Sequence, residues 1–178
     1  RKKGLILPYT DSLEKQLVEA IEYVSSEAAE RLVQHGKGSK ARNEIFNNFD
    51  NSQGNNVLIS TYANQGYDGK SVDFCIIVKV PFPAMGDVRT AIKMKENPSW
   101  YKLQTANQIT QMLGRVVRSA QDVGHNYIID PQFWVLYSKG IGNEPLENYI
   151  PEYIKSSIRV NRNRTNGAKQ SQLFGTNS

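Results

Sequence analysis

The chain has 178 residues, 39% hydrophobic and 22% charged, so it is long enough to bury one proper core. Its single cysteine, Cys75, excludes an internal disulfide framework, and no apolar run approaches the ~20 residues of a membrane span. The formal net charge of +5 favours a polyanionic partner such as nucleic acid, although an excess of this size is weak evidence alone.

Apolar strand-like runs alternate with helical patterns along the chain, which predicts an α/β fold with a parallel sheet flanked by helices. Residues 4–9 are predicted to form the first strand. Asp11 and Glu14 predict a capping box at the start of a helix that ends near Val24. The expected buried stripe of this helix has five apolar residues: Leu13, Leu17, Ala20, Ile21 and Val24.

The next predicted elements are a short strand over 32–34 and a helix over 40–49. Between them, residues 36–40 lack the glycine spacing of a phosphate-binding loop, so we expect a surface turn. Four residues of the helix are expected to be buried: Ala41, Ile45, Phe46 and Phe49. Residues 51–56 are rich in Asn and Gly and predict a second turn.

Two β-branched runs, 57–61 and 72–80, predict the central strands of the sheet. The connection over 81–97 is expected to be irregular, with one short helix. The pair Asn97-Pro98 supplies an N-cap and a first-turn proline for a long helix. That helix is predicted to end at 122–124.

Residues 127–130 predict a last buried strand, which 134–137 would extend, and a helix broken by a proline is expected over 144–158. The segment 159–178 carries basic residues and no acid among Asn, Gly and Ser, which predicts a disordered tail. The predicted globular domain is therefore 1–158.

The long helix carries two arginines on a polar face. At roughly 100° per residue, its apolar side gathers Ile109, Met112, Leu113, Val116, Val117 and Ala120. The opposite side carries Gln104, Gln108, Gln111, Arg115 and Arg118. No acid lies three or four residues from Arg115, and Gly114 inside a helix costs about 1 kcal/mol relative to Ala. This pattern favours a phosphate-sensing site over an ordinary solvated face.

The usual signs of metal or nucleophilic chemistry are missing from the sequence. His35 and His125 are far apart and have no Cys or carboxylate companions, so no metal site is predicted. No pair of acids follows a strand in the manner of a magnesium-binding motif. If the arginines sense a triphosphate, its phosphate-cradling loop and Mg²⁺ ligands must come from elsewhere.

The run Gln111-x-x-Gly114-Arg115-x-x-Arg118 resembles motif VI of superfamily-two helicases, and its surroundings resemble the XPD/DinG branch. The surrounding matches are Trp100, Tyr101, Ala106, Asp122, Gly124 and Asp130. The spacing of these residues around motif VI makes the resemblance specific.

Other segments resemble further motifs of the same branch. Ser60-Thr61 with Gln65-Gly66-Tyr67-Asp68 resembles motif V, and residues 5–12 resemble motif IV. Residues 77–82 resemble the strand that follows motif V. The similarity covers about residues 4–135 in the correct order.

The resemblance implies the second RecA-like domain of an ATP-dependent DNA helicase, whose first domain, absent from this chain, would bind most of the ATP and Mg²⁺. It implies two catalytic residues that reach the γ-phosphate: Arg115 and Arg118. Four residues would approach the nucleotide: Gln111, Gly114, Gly66 and Asp68. Four would contact the backbone of single-stranded or forked DNA: Tyr9, Thr10, Ser60 and Thr61. An iron–sulfur cluster would belong to the absent part, on which this sequence does not report.

Two segments depart from the branch pattern. Where the branch commonly has Glu-Gly-Val/Ile-Asp, this chain has Gln65-Gly66-Tyr67-Asp68, which removes a carboxylate at position 65. Where the branch often has Asp-x-Arg, this chain has Asp130-Pro131-Gln132, which removes a cation. Any role that requires those two charges is therefore not carried over.

Near the end of the chain, Gln170-Ser171-Gln172-Leu173-Phe174 resembles the peptides by which bacterial replication and repair proteins bind the sliding clamp. A chance match in a disordered tail stays open. With no targeting signal in the sequence, we expect a cytoplasmic protein of DNA repair or replication in a bacterial or phage-infected cell. The alternative function is a non-catalytic nucleic-acid-binding module that uses the Gln/Arg face and the basic tail.

Overall fold

The computed structural model describes residues 2–34, 38–67, 72–117, 121–138 and 145–159. Within these ranges one parallel sheet has six strands in the order β2-β3-β1-β4-β5-β6. The strands are β1 Gly4–Leu7, β2 Leu32–Gln34, β3 Val57–Ile59, β4 Phe74–Ile77, β5 His125–Ile128 and β6 Ile158–Arg159. The predicted α/β class is confirmed.

Helices in the described ranges flank the sheet. They are α1 Asp11–Val24, α2 Ser26–Glu30, α3 Ser39–Asn51, α4 Ala63–Gly66, α5 Val88–Glu96, α6 Pro98–Leu113, α7 Gln132–Ser138 and α8 Glu152–Lys155, with a 3₁₀ helix at Leu146–Tyr149. The short helix predicted in the 81–97 connection is confirmed as α5. None of the described helices has the length and apolar character needed to cross a membrane.

Apolar residues alternate between the two faces of the central strands, and each face has its own core. Leu5 and Leu7 of β1 lie in the larger core, which also contains Phe49 of α3 and Met112 of α6. Ile6 of β1 lies in the smaller core, which α1 covers. Burial on both faces is typical of parallel sheets, and it leaves the carboxyl edge of the sheet to the connecting loops.

Helix α1 differs from its prediction in its cap and in its buried face. Thr10, not Asp11, is the N-cap, because Thr10 is extended and its Oγ1 accepts a hydrogen bond from Leu13 N at 3.2 Å. Leu17 and Ile21 of the predicted stripe do pack against the smaller core, but the buried residues are Glu14 and Val18, so the buried face is rotated and Val24 is 80% exposed. The rotation follows from Glu14, whose carboxylate turns inward to accept a hydrogen bond from a loop after β3.

Helix α6 starts as predicted but ends earlier than predicted. Asn97 Oδ1 accepts from Trp100 N at 3.1 Å, which confirms the predicted N-cap. The helix ends at Leu113, and Gly114 is its C-cap. Beyond Leu113 the backbone continues in turns, with Arg115 N donating to Met112 O at 3.2 Å, and the buried Asn126 of β5 donates from Nδ2 to Leu113 O at 3.2 Å. Arg115 therefore lies in a turn rather than on the predicted helix.

The segment predicted to extend the sheet over 134–137 is helical. Asp130 starts α7, because its Oδ1 accepts from Gln132 N at 3.0 Å while its Oδ2 accepts from Val80 N at 2.9 Å. Phe133 and Tyr137 then pack their rings 5.2 Å apart, one helical turn from each other. A run of four apolar residues does not distinguish strand from helix by pattern.

The last part of the described chain also differs from the prediction. The single broken helix expected over 144–158 is replaced by the 3₁₀ helix, α8 and the short strand β6. Pairing with β5 sets this outcome, because Asn126 N donates to Ser157 O at 3.2 Å. Residues 160–178 lie outside the described residues, so the predicted disordered tail and the 158/159 domain boundary stay predictions.

Candidate functional site

Two adjacent strands bring four predicted site residues to the carboxyl edge of the sheet. β1 pairs with β3 in parallel, with Ile6 opposite Ile59, so the residues that follow each strand meet at one edge. These residues are Tyr9, Thr10, Ser60 and Thr61. The sequence named these four residues only through the resemblance, and the parallel pairing of β1 with β3 is what brings them together.

These four residues differ in what they expose. Ser60 is fully buried, and its Oγ accepts a hydrogen bond from Tyr62 N at 3.1 Å, so it shapes the turn. Tyr9 is 37% exposed, and its hydroxyl donates to Phe82 O at 2.6 Å. Thr10 is exposed beside it at the start of α1. Tyr9 and Thr10 thus present most of the accessible surface among the four.

Thr61 lies between two carboxylates. Its Oγ1 donates to Asp11 Oδ1 at 2.8 Å, and its backbone N–H donates to Glu14 Oε2 at 3.0 Å. Both Thr61 donors are engaged in this arrangement. A phosphate placed directly at Thr61 would also meet the charge of the exposed Asp11, which repels an anion.

Arg115 links its own segment, which resembles motif VI, to the segment that resembles motif V. Its guanidinium donates from Nη1 to Tyr67 O and from Nη2 to Asn64 O, the second at 3.0 Å. Those carbonyls belong to α4 and the residue after it, in the segment that resembles motif V. The half-buried Arg115 is therefore attached to that segment rather than projecting from a helix face.

Gln111 and Gly114 lie beside Arg115 at the end of α6. Gln111 is exposed on the last turn and lines a small pocket of about 30 Å³ with Tyr9, Asn64 and other residues. Gly114, with a φ of −66°, is the helix C-cap, so it is not the glycine inside a helix that the sequence pattern predicted. Gln111 thus lies near Tyr9 and Asn64, and Gly114 directly precedes the turn residue Arg115.

Tyr67 explains one departure from the branch pattern. Its ring is 2% exposed and makes edge contacts with Phe46 and Phe49, with centroids at 5.2 and 6.0 Å. Its hydroxyl donates to Asp50 Oδ1 at 2.5 Å. An aromatic residue at position 67 therefore fixes the α4 segment to α3, in a way that a Val or Ile side chain cannot.

Asn64 connects the two groups of site residues, and the sequence reasoning missed it. Its Nδ2 donates to Pro8 O at 3.2 Å, in the loop of Tyr9 and Thr10, and its backbone O accepts from Arg115. Its Oδ1 is buried and has no hydrogen-bond partner. No motif marks this asparagine; the only signal was its position three residues after Thr61.

Cys75 lies near Arg115 in the larger core. It is fully buried, and this burial raises the pKa of its thiol, although the charge of Arg115 partly opposes that rise. The prediction of a small buried core residue is confirmed. Among the described residues no cluster of three His, Cys, Asp or Glu side chains is arranged to hold a metal ion.

Some predicted site residues are beyond what the structure describes. Asp68 and Arg118 lie outside the described residues, as does the segment 170–174. Gly66 is the last residue of α4. The predicted roles of these positions stay predictions.

Comparison with known proteins identifies a family. The helicase C-terminal domain family matches residues 3–147, which is most of the chain. A regulator of telomere elongation helicase 1 homolog of Culex quinquefasciatus is 33% identical over 33% of this chain and 7% of its own length. The homolog of Aedes aegypti is 27% identical over 52% of this chain and 10% of its own length. The matches thus span a tenth or less of these relatives.

Proposed function

This chain belongs to the helicase C-terminal domain family, and we propose that it supplies arginine fingers to ATP held by a first RecA-like domain while it contacts single-stranded DNA. It is a helicase motor domain, the second RecA-like domain of an XPD/DinG-like superfamily-two helicase. The observation that carries the proposal is the attachment of Arg115 to Asn64 O and Tyr67 O. This contact joins the segments that resemble motifs V and VI.

The nucleotide chemistry assigned to this domain is electrostatic. In the proposal, Arg115 and Arg118 stabilise the charge that develops on the γ-phosphate during hydrolysis, as cationic fingers do in other phosphoryl transfers. Gln111 orients these groups or contacts phosphate. Gly66 and Asp68 approach the nucleotide from the α4 segment, and Gly114 ends the helix so that Arg115 can face that segment.

Mg²⁺ is assigned to the first domain. No described cluster of side chains in this chain fits the ion, and the sequence has no Walker loop. When bound with ATP, the ion neutralises phosphate charge. This chain alone is therefore proposed to be inactive as an ATP hydrolase.

The DNA strand is proposed to pass over the carboxyl edge of the sheet. Tyr9 and Thr10 expose surface there, and the hydroxyl of Thr10 can donate to a phosphate while its oxygen caps α1. Ser60 supports this surface by shaping the turn before Tyr62. Both donors of Thr61 are bonded to carboxylates, so in this conformation Thr61 lies at the surface but donates no hydrogen bond to the DNA.

DNA-stimulated ATP hydrolysis by the full-length protein tests this proposal. We expect single-stranded DNA to raise the turnover number, and Asn64→Ala to lower that stimulation by about 5-fold or more, the range of typical coupling between sites. The reason is that alanine removes the side-chain bond from Asn64 Nδ2 to Pro8 O in the loop of Tyr9, and so detaches that loop from the residue whose backbone O still accepts from Arg115. Asn48→Ala, on an exposed position of α3, is the matched control and should leave stimulation unchanged.

Two results would contradict different parts of the proposal. Absence of DNA-stimulated hydrolysis in the unmodified full-length protein would contradict the helicase proposal. If Asn64→Ala lowers basal and stimulated rates by the same factor, the coupling role of Asn64 is wrong while the motor function stands.

The tail is proposed to dock on a sliding clamp through Gln170, Leu173 and Phe174, on the support of sequence alone. A labelled peptide of residues 168–176 should bind a purified bacterial clamp at tens of micromolar or tighter in fluorescence polarisation, about −6 to −7 kcal/mol. The same peptide with alanine at both Leu173 and Phe174 should not bind, because the two apolar anchors are lost. No binding of the unmodified peptide at those concentrations would retire this partner.

A further inference from the structure

A cleft opens beside the proposed DNA surface, next to Tyr9. Its volume is about 560 Å³, within the roughly 300–1,000 Å³ typical of small-ligand sites. It is lined by Arg42 and Phe46 of α3 and by Tyr9, Tyr62 and Asn64. A strand that crosses Tyr9 therefore passes the mouth of this cleft.

Arg42 and Tyr62 form a cationic and aromatic platform in the cleft. The guanidinium carbon of Arg42 lies 4.0 Å from the centroid of the Tyr62 ring, the arrangement of a cation–π pair. Tyr62 remains 45% exposed. Aromatic rings and guanidinium planes are the groups on which the bases of single strands stack. The pair therefore suits a planar, electron-rich ligand.

The polar groups of the cleft favour a base over a phosphate. Asn64 Oδ1 is a buried acceptor with no partner, and a buried acceptor is satisfied by a ligand N–H. The amino and imino groups of bases supply such donors, whereas a phosphate diester supplies none.

We propose that this cleft receives one base of the bound single strand, which stacks on the Tyr62–Arg42 platform and donates a hydrogen bond to Asn64 Oδ1. The inference rests on the proposed function, because it takes the strand over Tyr9 and Thr10 as given. Every base has a π face that can stack, so this contact binds the strand with little dependence on its sequence.

The test compares two oligonucleotides of equal length and charge, oligothymidylate and a fully abasic strand, binding to the full-length protein in fluorescence anisotropy. Tyr62→Ala should weaken binding of oligothymidylate by about 5- to 150-fold, the usual loss for one stacked base. Its affinity for the abasic strand should stay within about 2-fold, since no phosphate contact is removed. Tyr62→Phe keeps the ring and should bind both strands as the unmodified protein does.

Two further variants sharpen the experiment. Tyr23→Ala removes a tyrosine that is 92% exposed on α1 and should change neither affinity. Arg42→Gln removes the cation from the platform and should weaken only oligothymidylate. Melting curves by circular dichroism should be unchanged for Tyr62→Ala, because the exposed ring contributes little to the core.

Equal weakening of both strands by Tyr62→Ala, or no weakening of either, would overturn the base-binding cleft. If the unmodified protein binds neither strand and shows no DNA-stimulated hydrolysis, the proposed function itself fails. If it binds both strands with equal affinity and hydrolysis is DNA-stimulated, the cleft inference alone is wrong.

Discussion

Alanine at Arg115 or at Arg118 is expected to lower ATP turnover by the full-length protein by on the order of 10³-fold, the loss seen when an arginine finger is removed. Each guanidinium is proposed to stabilise charge that appears on the γ-phosphate only in the transition state. The turnover number should therefore fall far more than the affinity for DNA. Steady-state hydrolysis and DNA binding by anisotropy, measured on the same preparations, give the two quantities.

Alanine at Arg115 also removes two hydrogen bonds, so the stability of this variant has to be measured beside its turnover. Removal of its guanidinium leaves Asn64 O and Tyr67 O without that donor, at a cost of about 1–3 kcal/mol for each buried carbonyl left unsatisfied. Assays must therefore run well below the unfolding temperature of the variant. Arg89→Ala, exposed on α5, is the matched control and should retain turnover. Equal losses of DNA affinity and hydrolysis would show instead that the arginines bind DNA.

Tyr67→Ala is expected to lower the free energy of unfolding of this chain by about 3–5 kcal/mol, as for other large core aromatics. The ring is buried against Phe46 and Phe49, and its hydroxyl bonds Asp50. Such a loss is a large part of the roughly 5–15 kcal/mol that stabilises a typical domain. Urea unfolding followed by circular dichroism measures it.

Two further variants separate the contribution of the Tyr67 hydroxyl from that of its ring and provide an exposed control. Tyr67→Phe keeps the ring and loses only the bond to Asp50, so it should cost about 1.5–3 kcal/mol, the usual value for a hydrogen bond to a charged group. Tyr23→Ala removes a ring that is 92% exposed and should stay within about 0.5 kcal/mol of the unmodified chain. A cost below about 1 kcal/mol for Tyr67→Ala would contradict the packing of this ring in the core.

The central sheet was predictable because its strands carry local signals. The apolar β-branched runs around Leu58 and Ile77 are bounded by turn formers, and they form β3 and β4 inside the predicted limits. The start of α6 was equally local, because Asn97 caps it from within its own first turn. Signals that lie within a few residues of an element can be read from the sequence.

The errors arose where a distant residue decides the outcome. Asn126, thirteen residues beyond Leu113, donates a hydrogen bond to the carbonyl of this last residue of α6 and attaches the helix end to β5. Glu14 rotates the buried face of α1 because it bonds Thr61, 47 residues away. Helical periodicity contains no information about either partner, so the predicted helix ran too long and the predicted stripe was displaced.

The residues of the candidate site also fall into two groups, those that the sequence indicated and those that only contacts in the folded chain identify. The resemblance selected Tyr9, Ser60 and Thr61, and the parallel pairing of β1 with β3, which no local pattern specified, brings the residues after these strands to one edge. The bonds from Arg115 to Asn64 O and Tyr67 O depend on the turn after α6, which no local pattern specified. Asn64 and the Tyr62–Arg42 pair belong to no motif, so only their contacts in the folded chain identify them.

A structure of the full-length protein bound to single-stranded DNA, ADP and aluminium fluoride tests the central claim most directly. The fluoride occupies the position of the transferred γ-phosphoryl group. The proposal predicts a guanidinium of Arg115 or Arg118 within about 2.7–2.9 Å of that group, the length of a charge-assisted hydrogen bond. Both guanidinium groups facing solvent, with another cation at the γ-phosphate position, would contradict it.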